Sequence, residues 1–536
     1  MKVTDMAIDS PAQSKADTPV SMIASWLFPS VKDILFLTLF FSPLLAENTS
    51  LLGDSDTGWH IRNGEQILRT WTLPRSDYFS YTAYGKEWFA WEWLADVVMG
   101  GAHHLAGLNG VVFVGQLLFA LTFTLLFSWT LRKGSNLFVS IVCCGLATLA
   151  SSLHWLARPH LFTMLILLVW YILVERLQTE GPGRWTWSFP IIILVWTNLH
   201  GGFVVGLVLL LIYALGNWLT GLFSQDGQAK HADYDRARLF ARTALICGLA
   251  SLINPYGPKL YRHIFHSYVT SGFLVDIVTE FLSPNFHMPP VRFFELLLLG
   301  TIFVFGASRK RLTFIEIGLL VFWTHLALFS ARHIPLYTLV VTPILCRHLS
   351  MYVDGLTLGV PSWVSKSAVA VTRYSSHFLN FEAQFRRHLF PVILVAIVGA
   401  ICLNQGRLFG QKVLDADFPK KNFPVDAARF IEGRGLKGNA YTMDQWGGYL
   451  VYRLFPNYKT FLDGRSDMYG EELIKEYLKL LNAEYQWKQL VDKYNIEWIL
   501  LPVQNPLASV LKESSRWKVI YDDQVSIIFV KSDRAQ

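Results

Sequence analysis

Charged residues are scarce in this sequence. Only 16% of its 536 residues are Asp, Glu, Lys or Arg, whereas 52% are hydrophobic and 15% are aromatic. A chain of this length needs more charge than that to stay dissolved in water. The composition therefore argues against a soluble enzyme and indicates that lipid is the main solvent of the protein.

Cysteine is also rare, and its five copies follow no recognisable framework. All of them lie in or beside apolar segments, at Cys143, Cys144, Cys247, Cys346 and Cys402. Their spacing fits neither a zinc site nor a disulfide scaffold. We expect them to be small packing residues.

The net charge of +7 comes from Lys and Arg in short clusters between apolar runs. This is the pattern of cytoplasmic membrane loops, so we expect no nucleic acid partner. The first 20 residues are polar and include Asp as well as Lys, and no small-residue cleavage site precedes the first apolar run. We therefore predict no removable signal peptide.

A bilayer core of about 30 Å needs about 20 mostly apolar residues in a helix. We predict a mostly α-helical, polytopic membrane protein with eleven spans, over residues 31–46, 108–131, 137–153, 160–177, 188–198, 202–223, 239–253, 291–307, 314–329, 333–346 and 389–404. The basic clusters occupy alternate loops, which puts the N-terminus in the cytoplasm. This gives a cytoplasmic tail over 1–30 and a transmembrane domain over 31–404 with a large outer loop, 47–107.

Residues 405–536 differ in character and predict a soluble C-terminal α/β domain on the same outer side. We expect helices at 425–432, 448–454 and 471–494, and strands at 439–443, 459–462 and 497–501. Residues 517–521 and 525–530 predict a closing hairpin.

Two acidic residues, Asp54 and Asp56, follow the first predicted span closely. A site at this position would meet both a lipid head group and an aqueous partner. The plainer interpretations are an acidic solvated loop or an N-cap made by Asp56, because residues 61–68 can form a helix and Asp is a favoured cap. The residues alone leave these interpretations open.

The stretch from Asp56 to Arg62 reads D-T-G-W-H-I-R. It resembles the first-loop motif, D-x-x-x-x-x-R, of membrane glycosyltransferases of the GT-C class, especially the oligosaccharyltransferase catalytic subunits of archaea and eukaryotes. Nearly the whole chain is similar to bacterial membrane proteins of GT-C-like type, which carry the further motifs P-x-x-D-x-x-S, E-W-L, A-R-P, N-x-H-G-G, W-G-G-Y-L and D-G-R. In this chain those motifs begin at Pro74, Glu92, Ala157, Asn198, Trp446 and Asp463.

The resemblance implies a GT-C-like fold in a bacterial inner membrane. It also implies transfer of a sugar from a polyprenyl-phosphate carrier to a glycan or protein acceptor outside the cytoplasm. In such a reaction a carboxylate takes the proton of the acceptor, and cations stabilise the departing phosphate. We expect Asp56 to be the base, with Asp54 beside it.

The candidate ligands of the carrier phosphate lie in the first loop or at outer ends of spans. They are Arg62, His60, Arg158, His200, Arg332 and His333. A charged side chain near the end of a membrane span costs free energy unless it is paired with an opposite charge or binds a ligand. The alternatives are that the arginines snorkel to the outer head groups and that His200 is structural.

Residues expected on the acceptor side are Asp77, Glu92, Trp93, Asp444, Trp446, Asp463 and Arg465. The stretch at Asp444 weakly resembles the W-W-D-x-G acceptor-binding motif of oligosaccharyltransferases but lacks the paired tryptophans. Its plainer interpretation is a strand-to-helix turn in which Gly447 and Gly448 adopt backbone conformations closed to other residues. The turn from Asp463 to Arg465 is open to the same two interpretations.

The next outer loop departs from the oligosaccharyltransferases. Those enzymes carry a second acidic motif there, which supplies metal ligands, whereas residues 154–160 contain Arg158 and no acid. We therefore expect no cofactor to be required, since arginine can take over the electrostatic role. A divalent cation, Mg²⁺ or Mn²⁺, stays possible at Asp54 and Asp56 through their oxygen ligands.

The missing acidic motif also leaves a rival function. A non-catalytic scaffold of an envelope glycan assembly system could keep the architecture and lose the reaction. A transporter would place ionisable residues or broken helices near the bilayer midplane, whereas here they gather at the outer helix ends.

Overall fold

The structure is a computed structural model that describes residues 29–45, 50–267, 272–307, 311–356, 361–382, 384 and 388–532. Most of the predicted N-terminal tail, residues 1–28, lies outside the described residues. Residues 47–49, at the start of the predicted outer loop, also lie outside them.

Helices make up most of residues 29–404. In chain order they are α1 (Val31–Leu45), α2 (Asp56–Thr70), α3 (Trp93–Arg132), α4 (Leu137–Ala150), α5 (His160–Glu180), α6 (Ser188–Leu199), α7 (Phe203–Phe223), α8 (Gly227–Ala250), α9 (Pro258–Phe265), α10 (Gly272–Ile277), α11 (Pro289–Ala307), α12 (Phe314–Phe329), α13 (Ile334–Asp354), α14 (Ser362–Glu382) and α15 (Leu389–Leu403). Short 3₁₀ turns lie at Ser50–Leu52, Ser151–His154, Arg184–Trp187, Thr279–Phe281 and Ala331–His333.

Each of the eleven predicted spans is helical over most of its length. Among the described residues, six helices are long and apolar enough to cross a membrane, namely α3, α4 with its following turn, α5, α7, α11 and α13 with its preceding turn. The helices α12 and α15 are apolar but shorter. A mostly helical, polytopic membrane protein is thereby confirmed, while the count of eleven spans stays a prediction.

Helix α3 is interrupted near its first third. Ala106 and Gly107 depart from helical geometry, and Gly107 has φ of 60° and ψ of −152°, a conformation that essentially requires glycine. The interruption separates an outer segment from a membrane segment that starts at Leu108, where the predicted span begins.

The chain after α15 forms a small hairpin, β1 (Arg407–Leu408) with β2 (Gln411–Lys412), and then an α/β domain. The elements of that domain are α16 (Val425–Arg434), β3 (Asn439–Thr442), α17 (Asp444–Leu454), α18 (Ser466–Tyr469), α19 (Glu471–Leu481), α20 (Trp487–Lys493), β4 (Ile496–Pro502), α21 (Pro506–Lys512), β5 (Trp517–Asp522) and β6 (Ser526–Lys531). Its sheet has the strand order β3-β4-β6-β5, in which β3 and β4 are parallel and the other pairs antiparallel. The predicted α/β domain and its closing hairpin are confirmed.

The predicted strand at 459–462 is wrong. In this segment Thr460 makes only an isolated parallel bridge with Ser80 of the outer loop. The Tyr81 N–H donates to the Thr460 carbonyl, and the Thr460 N–H donates to the Phe79 carbonyl, each at 3.1 Å. The segment therefore pairs with the outer loop and not with the sheet.

The outer loop and the C-terminal domain share one hydrophobic core. Trp59, Phe79 and Trp88 of the loop are buried in the same cluster as Tyr441 and Phe461 of the domain. Separating the loop from the domain would expose these rings to water. Since the two parts are packed together in one core, they lie on the same side of the bilayer.

Helices α2 and α17 touch through glycines. A side chain at Gly58 would collide with the Gly448 carbonyl oxygen and with Tyr452, and one at Gly448 would collide with the Ser55 carbonyl. Gly447 and Gly448 lie inside α17 and have no positive φ. The expected turn conformation is therefore wrong, and these residues must be small because backbone meets backbone there.

Because of this contact, we expect a single added methyl group at Gly448 to lower the stability of the protein. Gly448→Ala should destabilise the protein by about 1–3 kcal/mol, because the added carbon overpacks a rigid backbone contact. Thermal unfolding of the detergent-solubilised protein and the rate of proteolytic release of the C-terminal domain measure the effect. Gly433→Ala is the matched control, because open space surrounds Gly433 in α16. Equal unfolding of the two variants would contradict the contact.

Candidate functional site

A cavity of 610 Å³ lies where the outer loop, the outer helix ends and the C-terminal domain meet. Ten of the fifteen predicted site residues line it, namely Asp54, Asp56, Glu92, Arg158, His200, Arg332, Asp444, Trp446, Asp463 and Arg465. The fold thus gathers residues from motifs that are hundreds of positions apart in the chain.

Arg158 lies at the centre of this cavity's charges. Its Nη1 is 2.9 Å from the Asp54 carboxylate and 3.6 Å from Glu280, and its Nη2 is 3.1 Å from Asp56. Burial opposes the charge of the guanidinium, but these carboxylates outweigh burial and hold the pKa of Arg158 well above its ordinary value. The Ala157 N–H donates to the Leu51 carbonyl at 2.7 Å and so fixes the A-R-P segment against the first loop.

Asp56 is the first residue of α2 and is 8% exposed. Asp54 supplies the hydrogen-bond acceptor at this helix start, because the Asp56 N–H donates to Asp54 Oδ1 at 2.8 Å. The carboxyl group of Asp56 is therefore available to Arg158. Burial raises the pKa of Asp56 to about 7 despite the opposing effect of Arg158.

Glu280 was missed in the sequence, and it links the two arginines of the cavity. Its carboxylate lies 3.6 Å from Arg158 and 3.4 Å from Arg332. Burial alone would raise the pKa of Glu280, but Arg332 and Arg158 hold it well below its ordinary value. An available signal was the pair Asp276 and Glu280, two acids four residues apart in an otherwise apolar outer segment.

Two motifs meet at Glu92. One carboxylate oxygen of Glu92 lies 3.4 Å from His200 Nε2, and the other lies 3.8 Å from His60 Nε2. Next to it, Trp93 Nε1 donates to the side-chain oxygen of Asn198 at 2.8 Å. The E-W-L and N-x-H-G-G segments are therefore paired residue by residue, and burial raises the pKa of Glu92 to about 7.

Arg465 forms the best-enclosed ion pair of the site. Its Nη2 lies 2.6 Å from Asp463 and 2.7 Å from Asp77, and its guanidinium carbon is 4.5 Å from the centre of the Trp88 ring. Arg465 is 3% exposed. Asp77 does not line the cavity, and its second oxygen accepts hydrogen bonds from Ser80. These contacts favour the structural interpretation of the Asp463 to Arg465 turn.

Asp444 and Trp446 line the wall that the C-terminal domain contributes. Asp444 accepts a hydrogen bond from the Tyr477 hydroxyl at 2.8 Å, and Trp446 Nε1 donates to the Asn422 carbonyl at 2.8 Å. Burial raises the pKa of Asp444. Both side chains are thus held in place at the edge of the cavity.

Five predicted site residues do not line the cavity, namely Arg62, His60, His333, Asp77 and Trp93. Arg62 donates from Nε to the Tyr452 carbonyl at 2.8 Å and pairs with Glu65 at 2.8 Å, so it ties α2 to the end of α17. His60 lies behind Glu92, and His333 follows Arg332 in the same 3₁₀ turn.

The acidic cluster does not suit a resident metal ion. Among the residues that the structure describes, no group of three or more His, Cys, Asp or Glu has the arrangement of a metal site. The physical reason is Arg158, whose guanidinium stands among the three carboxylates that a divalent cation would need.

No family model matches this chain, and no curated protein matches it. Solved structures are similar in fold. The archaeal oligosaccharyltransferase AglB from Archaeoglobus fulgidus, in complex with an inhibitory peptide and a dolichol-phosphate, has a TM-score of 0.53 at 11% identity, covering 94% of this chain and 74% of AglB. A second structure of the Archaeoglobus fulgidus oligosaccharyltransferase, with Zn and sulfate, has a TM-score of 0.51 at 11% identity and covers 88% and 67%.

ArnT from Cupriavidus metallidurans, bound to undecaprenyl phosphate, covers 93% of this chain and 97% of its own at 13% identity, with a TM-score of 0.47. The two oligosaccharyltransferase likenesses extend over nearly the whole chain. They confirm the expected fold: the protein is a multi-pass membrane protein of GT-C-like architecture with a small C-terminal sheet domain.

The enclosure of Arg465 predicts a large loss of stability on its removal. Arg465→Met should destabilise the protein by about 3–5 kcal/mol, because Asp77 and Asp463 would be left as buried carboxylates without a cation. Arg429→Met is the matched control, since Arg429 pairs with Asp426 on the surface and such pairs contribute at most about 1 kcal/mol. Thermal unfolding compares the two, and a similar loss in both would refute the enclosed ion pair.

Proposed function

We propose that this protein is a glycosyltransferase that moves a sugar from a polyprenyl-phosphate carrier to a glycan or protein acceptor outside the cytoplasm. The observation that carries the proposal is the Asp56–Arg158 pair, in a cavity bounded by both the outer helix ends and the C-terminal domain. A lipid-linked donor needs access from the membrane side, and an acceptor needs access from the aqueous side. The cavity is lined by residues from both parts of the chain.

Asp56 is the base in this proposal. It takes the proton of the acceptor hydroxyl as that oxygen attacks the anomeric carbon of the sugar. A general base works best when its pKa lies near the operating pH, and burial brings the pKa of Asp56 to about 7. Gly464 supports this role, because any side chain there would collide with the Asp56 carboxyl group.

The carrier phosphate binds Arg332 and Arg158 in this proposal. Among the described residues Arg332 pairs with one carboxylate, Glu280, at 3.4 Å, and a guanidinium has five N–H donors. Enough donors are left to meet phosphate oxygens. Planar, bidentate contacts of this kind stabilise the charge that develops on a leaving phosphate.

The reaction is metal-independent in this proposal, because Arg158 supplies positive charge among the carboxylates. The orientation of the protein in this proposal is the one that keeps its basic loops in the cytoplasm. The N-terminus is then cytoplasmic, and the C-terminal domain lies outside the inner membrane. Transfer assays with candidate donors and acceptors identify the carrier, the sugar and the acceptor.

Loss of the base should stop transfer. Purified protein is incubated with candidate polyprenyl-phosphate sugars, and release of the lipid phosphate is measured for the wild type and for Asp56→Asn. We expect the rate to fall by about 10²–10⁴-fold with donor binding retained, because the amide cannot accept the proton. Asp426→Asn, on an exposed surface, should behave as the wild type. A folded Asp56→Asn variant with undiminished release would exclude Asp56, and a wild type that binds donors without turnover would favour a scaffold.

Removal of Arg158 should create a metal dependence. The wild type should keep its activity in a chelator, because Arg158 already neutralises the carboxylates. Arg158→Ala should lose activity and regain part of it in Mg²⁺ or Mn²⁺, since Asp54, Asp56 and Glu280 then offer oxygen ligands to a hard cation. Transfer assays with and without chelator and metal measure this. Inactivation of the wild type by the chelator would overturn metal independence.

A further inference from the structure

Glu92, His60 and Asp96 lie in one line, with His60 between the two carboxyl groups. Glu92 lines the cavity, and its Oε2 lies 3.8 Å from His60 Nε2. On the other side of the ring, His60 Nδ1 lies 2.5 Å from Asp96 Oδ1. His60 is 1% exposed and Asp96 is 0% exposed, and Asp96, like Glu92, lines the cavity.

The two nitrogens of His60 therefore face two different carboxyl groups. A neutral imidazole carries one hydrogen, on either nitrogen. When the hydrogen is on Nδ1 it is donated to Asp96, and the Nε2 lone pair faces Glu92. Burial lowers the pKa of His60 to about 3, so the ring beside Glu92 stays neutral.

His200 contacts the other carboxyl oxygen of Glu92. The Gly202 N–H donates to His200 Nδ1 at 3.0 Å, so Nδ1 holds a lone pair and the neutral ring carries its hydrogen on Nε2. That Nε2 faces Glu92 Oε1 at 3.4 Å. One Glu92 oxygen thus faces an N–H donor, and the other faces the Nε2 lone pair of His60.

The charges around the cavity make a proton donor useful. Transfer turns the phosphate linkage, with one negative charge, into a phosphate monoester whose second pKa is about 6. The two arginines that would receive it, Arg158 and Arg332, already face Asp54, Asp56 and Glu280. A proton delivered to the leaving phosphate would keep it from adding a second negative charge to this cluster.

We propose that Glu92 is the proton donor to the leaving phosphate, held between His60 and His200. This rests on the proposed function. As the acceptor oxygen bonds to the anomeric carbon, its proton goes to Asp56 and the bond from that carbon to the phosphate oxygen breaks. The electron pair stays on the phosphate oxygen, and the Glu92 proton joins the phosphate. One proton returned from Asp56 to Glu92 through water restores both groups.

Asp56 and Glu92 take different roles because their surroundings differ. Asp56 has a guanidinium at 3.1 Å, which favours its ionised form as a base. Glu92 has two imidazoles beside it, and burial raises its pKa to about 7, which favours its protonated form as an acid. The groups facing Glu92 that affect its titration are His60, Asp96, His200, Arg158 and Arg332.

The pH dependence follows from these roles. Asp56 must be deprotonated, so the rate rises with pH through its pKa. Glu92 must be protonated, so the rate falls as the pH rises through its own pKa, and the optimum lies near neutrality. Glu92→Gln should be about 10²-fold slower and should lose the alkaline fall, because the amide has no acid proton. Glu87→Gln, the same change at an exposed position of the same loop, should keep the wild-type profile.

Infrared difference spectroscopy of the whole protein without donor tests the proton itself. Between about pH 6 and pH 9 the wild type should lose a protonated-carboxyl band that Glu92→Gln lacks and Asp56→Asn keeps. An unchanged band in Glu92→Gln, or an unchanged alkaline fall in its transfer rate, would overturn the proton-donor role of Glu92. The proposed function would still stand in that case. Absence of transfer in the wild type with every donor would instead overturn the proposed function and the leaving-group role with it.

Discussion

The close approach of helices α2 and α17 is the constraint on which the cavity depends. Glycines at 58 and 448 let one helix backbone lie on the other, so the C-terminal domain reaches the start of α2, where Asp56 is. The same approach puts Gly464 against the Asp56 carboxyl group and closes one wall of the cavity. Protein interiors are packed densely enough that a contact of this kind cannot accommodate an added carbon without movement.

The charges within the cavity are tolerable because they alternate. Carboxylates of Asp54 and Asp56 face Arg158, Glu280 follows, and Arg332 comes next. An isolated charge in such surroundings would lose more hydration than the protein could replace. The alternation gives Arg158 and Arg332 carboxylate partners within the cavity.

The motifs of this chain act in pairs rather than singly. The E-W-L segment meets N-x-H-G-G, through Glu92 with His200 and Trp93 with Asn198. The P-x-x-D-x-x-S segment meets D-G-R through Asp77 and Arg465. Each pair joins elements that lie on different helices or in different domains. Several motif residues therefore hold the walls of the cavity, and fewer face its interior.

Hydropathy and local periodicity are properties of short segments, so the sequence was enough to predict the membrane class, most helix positions and a C-terminal α/β domain. It also placed Asp56 and Arg158 among the candidate residues, and the fold brings their side chains within 3.1 Å of each other. It misjudged residues 459–462 and the glycines at 447 and 448, since a partner strand and a helix contact come from distant chain. Three features could be seen only in the folded chain: Glu280 lies between two arginines, Arg62 lies outside the cavity, and His60 lies between Glu92 and Asp96. Distances between side chains on different elements are set by packing and not by spacing in the sequence.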